Sequence, residues 1–420
     1  MELSVGQKNT YKKYNDIFLA VVIFGVFLRF AIGVGYYNPQ DTLWYKTWVL
    51  ALNDGVFDIY ARADAINLDY PPIYLFFLSI LGIFYNIFGE SVHNYTDMFV
   101  MKFFPIVGDV LCAAALYLIF KKTSPKTGLI AAALWMFNPT TIFNSSFWGQ
   151  TDGIMCLLLL LSFVALERDK PILASVLFAV CGMTKFQCLF FTPVFLMELF
   201  VKFRVSKFLK GILAAAITVA AVFLPFMIGS KNLLLFLDVY LKGQGTYPYC
   251  TLNAFNFYGI LSLNWVEDSI GFPSAHILSM WLIVVLIVLL ILAYLFARRR
   301  SVWVLGFLFM NTLFMFMTRM HERYQFVVLI FILMAAVVHK SREFFYCFMG
   351  ISFITLINQL IPMFSWRQGG SVFSEYYGFL MVIFSVVNLI IYILSAYVSV
   401  RFMFFKNKDK IKTENREVNV

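Results

Sequence analysis

The sequence predicts an all-α polytopic membrane protein, a bundle of about 12 transmembrane helices with interfacial helices in its first outer loop. Three observations predict it. The 420 residues are 61% hydrophobic and only 13% charged. Apolar runs repeatedly reach the roughly 20 residues that cross a hydrocarbon core as a helix. Lys and Arg fall in short clusters between those runs, where the positive-inside rule puts cytosolic loops. That placement also interprets the net charge of +10, which marks loops rather than a nucleic-acid footprint, so no nucleic-acid partner is expected.

At the start of the chain Lys8, Lys12 and Lys13 precede an apolar run at residues 17–35. The run is too long for a signal-peptide core and carries Arg29, so it is expected to be an uncleaved first span. Basic clusters follow at Lys121, Lys122 and Lys126; at Arg168 and Lys170; at Lys202, Arg204, Lys207 and Lys210; at residues 298–300; at Lys340 and Arg342; and at residues 401–416. Spans at residues 17–35, 100–120, 128–143, 150–165, 171–184, 186–200, 208–228, 275–296, 302–317, 324–338, 344–362 and 376–400 put every cluster, and both termini, in the cytosol. Residues 71–88 are apolar enough to cross as well, but a crossing there would carry Lys121 to Lys126 outside. That segment is therefore expected to lie in the outer interface, which suits a proline in its first turn and tyrosines at its ends.

The expected organisation is one integral membrane domain, residues 1–402, with a first outer loop at 36–99 and a second at 229–275. Residues 403–420 form a polar, basic cytosolic tail, expected to be disordered. No internal repeat of the kind that marks many transporters is evident. The six cysteines show no metal spacing, and all but Cys250 lie within or beside apolar runs, so they are expected to pack.

The chemistry is expected at the outer face, where ionisable groups at membrane depth are costly and usually functional. Asp41 opens a helix-like run just beyond the first span. It can cap that helix, and as an ionised carboxylate it can also act as a general base toward a hydroxyl. Asp54, Asp58, Asp64 and Asp69 in the same loop are expected to be solvated or to cap. Trp148 can stack on a sugar face while Gln150 and Asp152 hydrogen-bond its hydroxyls, although Asp152 also stands where a helix cap would. Arg319 and Arg323 can hold a phosphate by forked hydrogen bonds, His321 adds a donor, and Glu322 can orient its basic neighbours. Lys185 can supply a further point charge to the phosphate, or snorkel to the interface. Residues 238–265, rich in Tyr, Asn and Phe, suit an acceptor glycan or an aromatic belt equally. No phosphate-binding loop, dinucleotide fingerprint or metal-ligand spacing is present, so neither metal nor cofactor is expected. His93, His276 and His339 are expected to be incidental.

Several motifs occur in a specific order: Asp41, the turn Tyr70-Pro71-Pro72, an interfacial helix, Asn138-Pro139 followed by FWGQTDG, Gly182-Met183-Thr184-Lys185, and Met320-His321-Glu322-Arg323-Tyr324. Over most of its length the chain thereby resembles the GT-C membrane glycosyltransferases that use polyprenyl-phosphate sugars. The last two motifs are similar to those of bacterial mannosyltransferases related to the second GPI mannosyltransferase. They are also similar to an element of the dolichyl-phosphate-glucose glucosyltransferases of N-glycan assembly, whose second motif differs from the GQTD found here. The resemblance implies inverting transfer of a hexose, mannose or glucose, from a polyprenyl-phosphate carrier to an acceptor glycan, lipid or polymer. Asp41 would be the base; Arg319, His321, Arg323 and Lys185 would bind the donor phosphate; Trp148, Gln150, Asp152, Glu322 and Tyr70 would bind sugar or acceptor. The membrane is expected to be a bacterial plasma membrane, with lipid, donor and acceptor as the partners. Two other readings stay open: a lipid-linked oligosaccharide flippase, favoured by Arg29, Asp109 and Glu198 within apolar runs, and a polysaccharide polymerase.

Overall fold

The structure is a computed structural model that describes residues 5–35, 39–88, 95–245, 247–367 and 372–405. His93 and residues 406–420 of the expected tail lie outside the described residues. The described chain is almost wholly helical and divides into two units, Met1–Pro248 and Tyr249–Val420. Among the described residues six helices are long and apolar enough to cross a membrane: Asn9–Gly35, Asp97–Lys121, Val205–Gly229, Ala275–Phe296, Arg342–Ser365 and Tyr376–Phe404. Pro72–Ile87, Pro171–Thr184, Val302–Phe316 and Tyr324–Val338 are apolar but shorter. The fold is thus an all-α membrane architecture, in which only part of the expected set of spans has full crossing length.

The first unit contains α1 (Val5–Gly35), α2 (Pro39–Asp54), α3 (Pro72–Phe88), α4 (Tyr95–Lys121), α5 (Pro125–Met136), α6 (Pro139–Ile142), α7 (Asp152–Glu167), α8 (Pro171–Thr184), α9 (Thr192–Lys202), α10 (Val205–Gly229) and α11 (Leu235–Gly245). The expected span at 128–143 is not continuous. Helix α5 starts on Ser124, whose hydroxyl accepts from Thr127 N at 3.2 Å, and stops at Met136. Asn138 then caps a new turn through Thr140 N at 2.9 Å, with Pro139 in its first position. A residue before proline is pushed out of the helical region, so the break is written in Asn138-Pro139.

Arg29 of α1 is the counterpart of that break. Its guanidinium donates to Met136 O at 3.1 Å and Thr141 O at 3.3 Å, carbonyls at the interruption. It also donates to Thr141 Oγ1 at 2.9 Å and Ser145 Oγ at 2.7 Å, and pairs with Asp109 of α4 at 2.8 Å, with both charged side chains 0% exposed. Additional hydrogen bonds of this kind help a buried ion pair to repay its desolvation. Two of the charges that favoured a transport reading therefore staple α1, α4 and the broken helix together.

The segment expected as the first outer loop is, over its described residues, a folded cap rather than a loose segment. Helices α2 and α3 and the 3-10 turn Ile59–Arg62 close a core of Tyr45, Trp48, Ile59, Tyr60, Tyr74 and Leu75. Tyr70 packs on it, its ring 5.3 Å from Trp48 and 5.2 Å from Tyr74, and Trp48 Nε1 donates to Ile66 O at 2.9 Å. Lys46 of α2 pairs with Asp97 of α4 at 3.1 Å, both nearly buried. Gly229 ends α10 against this loop: a Cβ there would lie 2.3 Å from Phe57 O.

The second unit contains α12 (Phe257–Ile260), α13 (Ala275–Phe296), α14 (Val302–Phe316), α15 (Val328–Val338), α16 (Arg342–Arg367) and α17 (Val372–Phe404). Helix α15 is apolar on every face and buried from Val328 to Ala336, as expected for a helix enclosed by neighbours. A two-residue parallel pair, β1 (Thr251–Leu252) with β2 (Met320–His321), aligns Thr251 with Met320 and Leu252 with His321.

Candidate active site

In the first unit α2 begins at Pro39, so Asp41 lies inside its first turn. Its carboxylate Oδ2 accepts from Trp148 Nε1 at 2.6 Å and from Gln150 Nε2 at 2.7 Å. These are short bonds of the charge-assisted kind, and two donors on one oxygen fix the rotation of the carboxylate.

The backbone explains why Trp148 and Gln150 reach the same oxygen. Residues Phe143–Trp148 form a π-helical turn that ends on Gly149 at φ 89°. Gly149 N and Gln150 N both fold back onto Asn144 O, at 3.1 and 2.9 Å. A left-handed conformation there favours glycine, and a Cβ would in addition sit 3.3 Å from Lys102 Cγ. Lys102 of α4 holds the turn from below, donating to Phe147 O at 2.9 Å and Gly33 O at 2.8 Å.

Behind Gln150 lies a second layer. Its Oε1 accepts from Tyr45 Oη and from Lys185 Nζ, each at 3.4 Å. Lys185 stands in extended conformation just past α8 and is ion-paired with Asp152, the first residue of α7. Asn144 Nδ2 donates to the other Asp152 oxygen at 2.9 Å. The hydroxyls of Tyr45 and Tyr70 are 3.0 Å apart. Burial first, then Tyr70, Tyr74 and Asp41 nearby, push the Tyr45 phenol well above its ordinary value, so it remains a donor to Gln150. The structure thus joins Asp41, Trp148, Gln150, Asp152, Lys185 and Tyr70 in one hydrogen-bonded set. Tyr45 belongs to it without having been singled out, and Asn144 joins it from the start of the polar run at residues 144–152. Tyr45 follows Asp41 by four residues, so helical spacing alone would have put it on the same face.

A cleft of about 380 Å³ opens in the same unit, lined by Tyr60, Asp64, Asp69, Asn232, Asp238 and Lys242 among others. Lys242 pairs with Asp64, and Asn232 Nδ2 donates to Asp238 Oδ2 at 2.7 Å. Tyr60 Oη donates to Tyr70 O at 2.8 Å, which connects the cleft wall to the Asp41 set. Asp54 and Asp58 are exposed and share Arg62 at 3.3 Å each.

In the second unit the basic turn is tied by its backbone. Arg319, at φ 63°, donates its N–H to Tyr249 O at 3.0 Å, and Glu322 N donates to Leu252 O at 3.2 Å. Arg319 forks onto Asp268, Nε to Oδ2 at 2.7 Å and Nη2 to Oδ1 at 3.4 Å. His276 Nδ1 lies 3.3 Å from the same Oδ2. Arg323 Nη1 donates to Glu322 Oε1 at 3.1 Å, and His321 Nδ1 lies 4.0 Å from Glu322 Oε2. The Arg319, Arg323 and His321 side chains keep 25%, 17% and 15% of their surface exposed, against 6% for Glu322 and for Asp268. These three side chains are therefore more accessible than the carboxylates beside them.

Asn253 anchors the strand opposite that turn, and sequence reasoning missed it. At φ 59° its Oδ1 accepts from Asn264 at 3.0 Å, Trp265 at 3.1 Å and Tyr377 at 2.8 Å, while its carbonyl accepts from Asn358 at 2.6 Å. Asn358 is an amide inside a long apolar helix, a visible signal that something polar must face it. Among the described residues no group of three or more His, Cys, Asp or Glu is gathered so as to hold a metal ion.

A family described as Glycosyltransferase family 87 matches residues 68–319. The matched stretch includes Tyr70, Trp148, Gln150, Asp152, Lys185 and Arg319; Asp41 precedes it and His321 to Arg323 follow it. No curated protein matches the chain. Among solved structures the chain is similar to a crystal structure of the Archaeoglobus fulgidus oligosaccharyltransferase in complex with zinc and sulfate, at 14% identity and a TM-score of 0.36. That alignment covers 92% of this chain and 54% of the other, so this chain spans about half the length of that protein.

Proposed function

The chain belongs to glycosyltransferase family 87, a GT-C-type family, and from that premise we propose that it transfers a hexose from a polyprenyl-phosphate carrier to a glycan or glycolipid acceptor with inversion at the anomeric carbon. The observation that carries this reading is the double N–H clamp on Asp41. Two N–H donors on one carboxylate oxygen hold its orientation, which suits a group that must accept a proton. In the proposed step an acceptor hydroxyl attacks the anomeric carbon, its proton passes to Asp41, and the bond from that carbon to the phosphate oxygen breaks. The lipid phosphate leaves with the electron pair.

Arg319, Arg323 and His321 are assigned to the charge that develops on the departing phosphate, where fixed donors are most effective. Lys185, 2% exposed and committed to Asp152 and Gln150, is reassigned from the phosphate to positioning the clamp. The acidic cleft beside Tyr60 offers carboxylates and an amide to sugar hydroxyls and is assigned to the acceptor. Mannose or glucose, transferred at the outer membrane face, is the expected cargo.

The test is incubation of the purified protein with radiolabelled polyprenyl-phosphate mannose and glucose and a sugar acceptor, for the natural chain and for Asp41→Asn. Transfer by the natural chain should fall by about 10²–10⁴-fold in the variant, the range general bases contribute, with donor affinity unchanged. Near-normal turnover in Asp41→Asn would remove Asp41 from the mechanism.

A further inference from the structure

We propose that the groove between the starts of α8 and α10 binds the headgroup of an anionic membrane phospholipid. The groove has a volume of about 620 Å³, and its wall combines Lys170, Lys207 and Lys210 with Ile172, Leu173 and Val176. All three lysines are exposed, and Ile172 and Leu173 leave 50% and 47% of their surface uncovered. The two helices approach closely just beside it: a Cβ on Gly211 would lie 2.7 Å from Ser175 Oγ and 3.6 Å from Pro171 O. Asp169 also lines the groove, but it pairs at 3.3 Å with Lys202, which is outside the lysine triplet.

This pairing of chemistries is what identifies the ligand class. Ammonium groups alone would serve any anion, yet a soluble anion gains nothing from an exposed aliphatic strip. A phospholipid has a phosphate to set among the lysines and acyl chains to lay on Ile172, Leu173 and Val176. Lysines are compact, flexible point charges, better suited to a mobile headgroup than to a fixed fork. Basic pockets between membrane helices are a recurrent setting for anionic headgroups, and the sidedness expected from the basic clusters puts this one at the cytosolic leaflet, where such lipids are enriched. None of these residues belongs to the Asp41 set, so the inference stands independently of the proposed reaction.

The full-length protein, delipidated in detergent and then offered phosphatidylglycerol and phosphatidylcholine in equal amounts, should retain the anionic lipid in native mass spectrometry by about tenfold or more, since each lysine near such a surface contributes roughly fivefold. The variant K170Q/K207Q/K210Q should lose that preference, and K170R/K207R/K210R should keep it. Inorganic phosphate should give no thermal stabilisation. Equal retention of both lipids, a preference that survives in the glutamine variant, or a lysine-dependent shift with inorganic phosphate alone would each overturn the proposal. Should the glutamine variant fail to fold, photoactivatable phosphatidylglycerol on the natural chain decides: adducts on residues 170–176 and 207–211 support the site, and adducts only elsewhere overturn it.

Discussion

In the first unit a carboxylate, Asp41, is held by the neutral N–H groups of Trp148 and Gln150. In the second unit each arginine of the basic turn has a carboxylate of its own, Asp268 for Arg319 and Glu322 for Arg323. Lys185 is engaged with Asp152 and reaches the clamp through the Gln150 amide oxygen. The contrast teaches how a membrane protein can keep both signs of charge in apolar surroundings. A prospective base is oriented by N–H dipoles; prospective phosphate ligands are stored as ion pairs until a stronger anion competes for them.

If the ion pair behind the clamp is structural, breaking it should have the largest effect on stability. The Lys185 and Asp152 side chains are each 3% exposed, so Lys185→Met leaves a buried carboxylate with Asn144 as a remaining donor. Loss of one partner of a buried pair commonly costs about 3–5 kcal/mol. Thermal unfolding should show that loss, and Lys185→Met combined with Asp152→Leu should recover part of it. A single variant as stable as the natural chain would show that the pair does not hold α7 and α8.

The stored arginines come next. Arg323→Ala should lower the rate of transfer by about 10²–10³-fold, the usual consequence of deleting one donor to a developing charge. Arg319→Lys is the sharper test, because lysine keeps the charge and loses the fork onto Asp268. It should retain donor binding and lose kcat. If Arg319→Lys is fully active, the fork is dispensable and Arg319 acts as a point charge.

Gln150→Ala removes a donor to Asp41 together with the acceptor for Tyr45 and Lys185. A hydrogen bond to a charged group contributes about 1.5–3 kcal/mol. Transfer should accordingly fall by roughly one to two orders of magnitude, a smaller loss than for Asp41→Asn, and Trp148→Phe should fall in the same range. Steady-state kinetics on the two variants and their combination would show whether the donors act as a unit.

Much of this was legible in the residues, and the illegible part has a physical cause. Helix existence followed from apolar length, so α8 and α13 match their expected bounds. Continuity did not: Asn138 caps a new turn and, with Pro139, breaks one expected span, while a 3-10 turn at Phe186–Phe191, without a side-chain cap, opens another. For the candidate site, residue type found Asp41, Gln150 and Asp152, since charged and amide groups stand out in an apolar chain. Their partnerships were not visible, because they depend on a π-helical turn and a left-handed Gly149 that no hydropathy pattern encodes. Tyr45 was hidden among 22 tyrosines, and Asn253 in a loop whose composition suited several roles.

The smallest expected effect is also the cleanest control on the comparison, because it uses the same residue type in the same loop. Asp54 and Asp58 have side chains 75% and 52% exposed and share Arg62 at 3.3 Å. Water screens such pairs, and exposed ion pairs contribute about 0–1 kcal/mol. Asp54→Asn and Asp58→Asn should therefore leave transfer unchanged and shift stability by no more than about 1 kcal/mol. Asp41→Asn differs from them only in what surrounds the carboxylate. A loss of transfer in Asp54→Asn as deep as in Asp41→Asn would mean that negative charge on the whole loop, not the clamped group, is what the reaction needs.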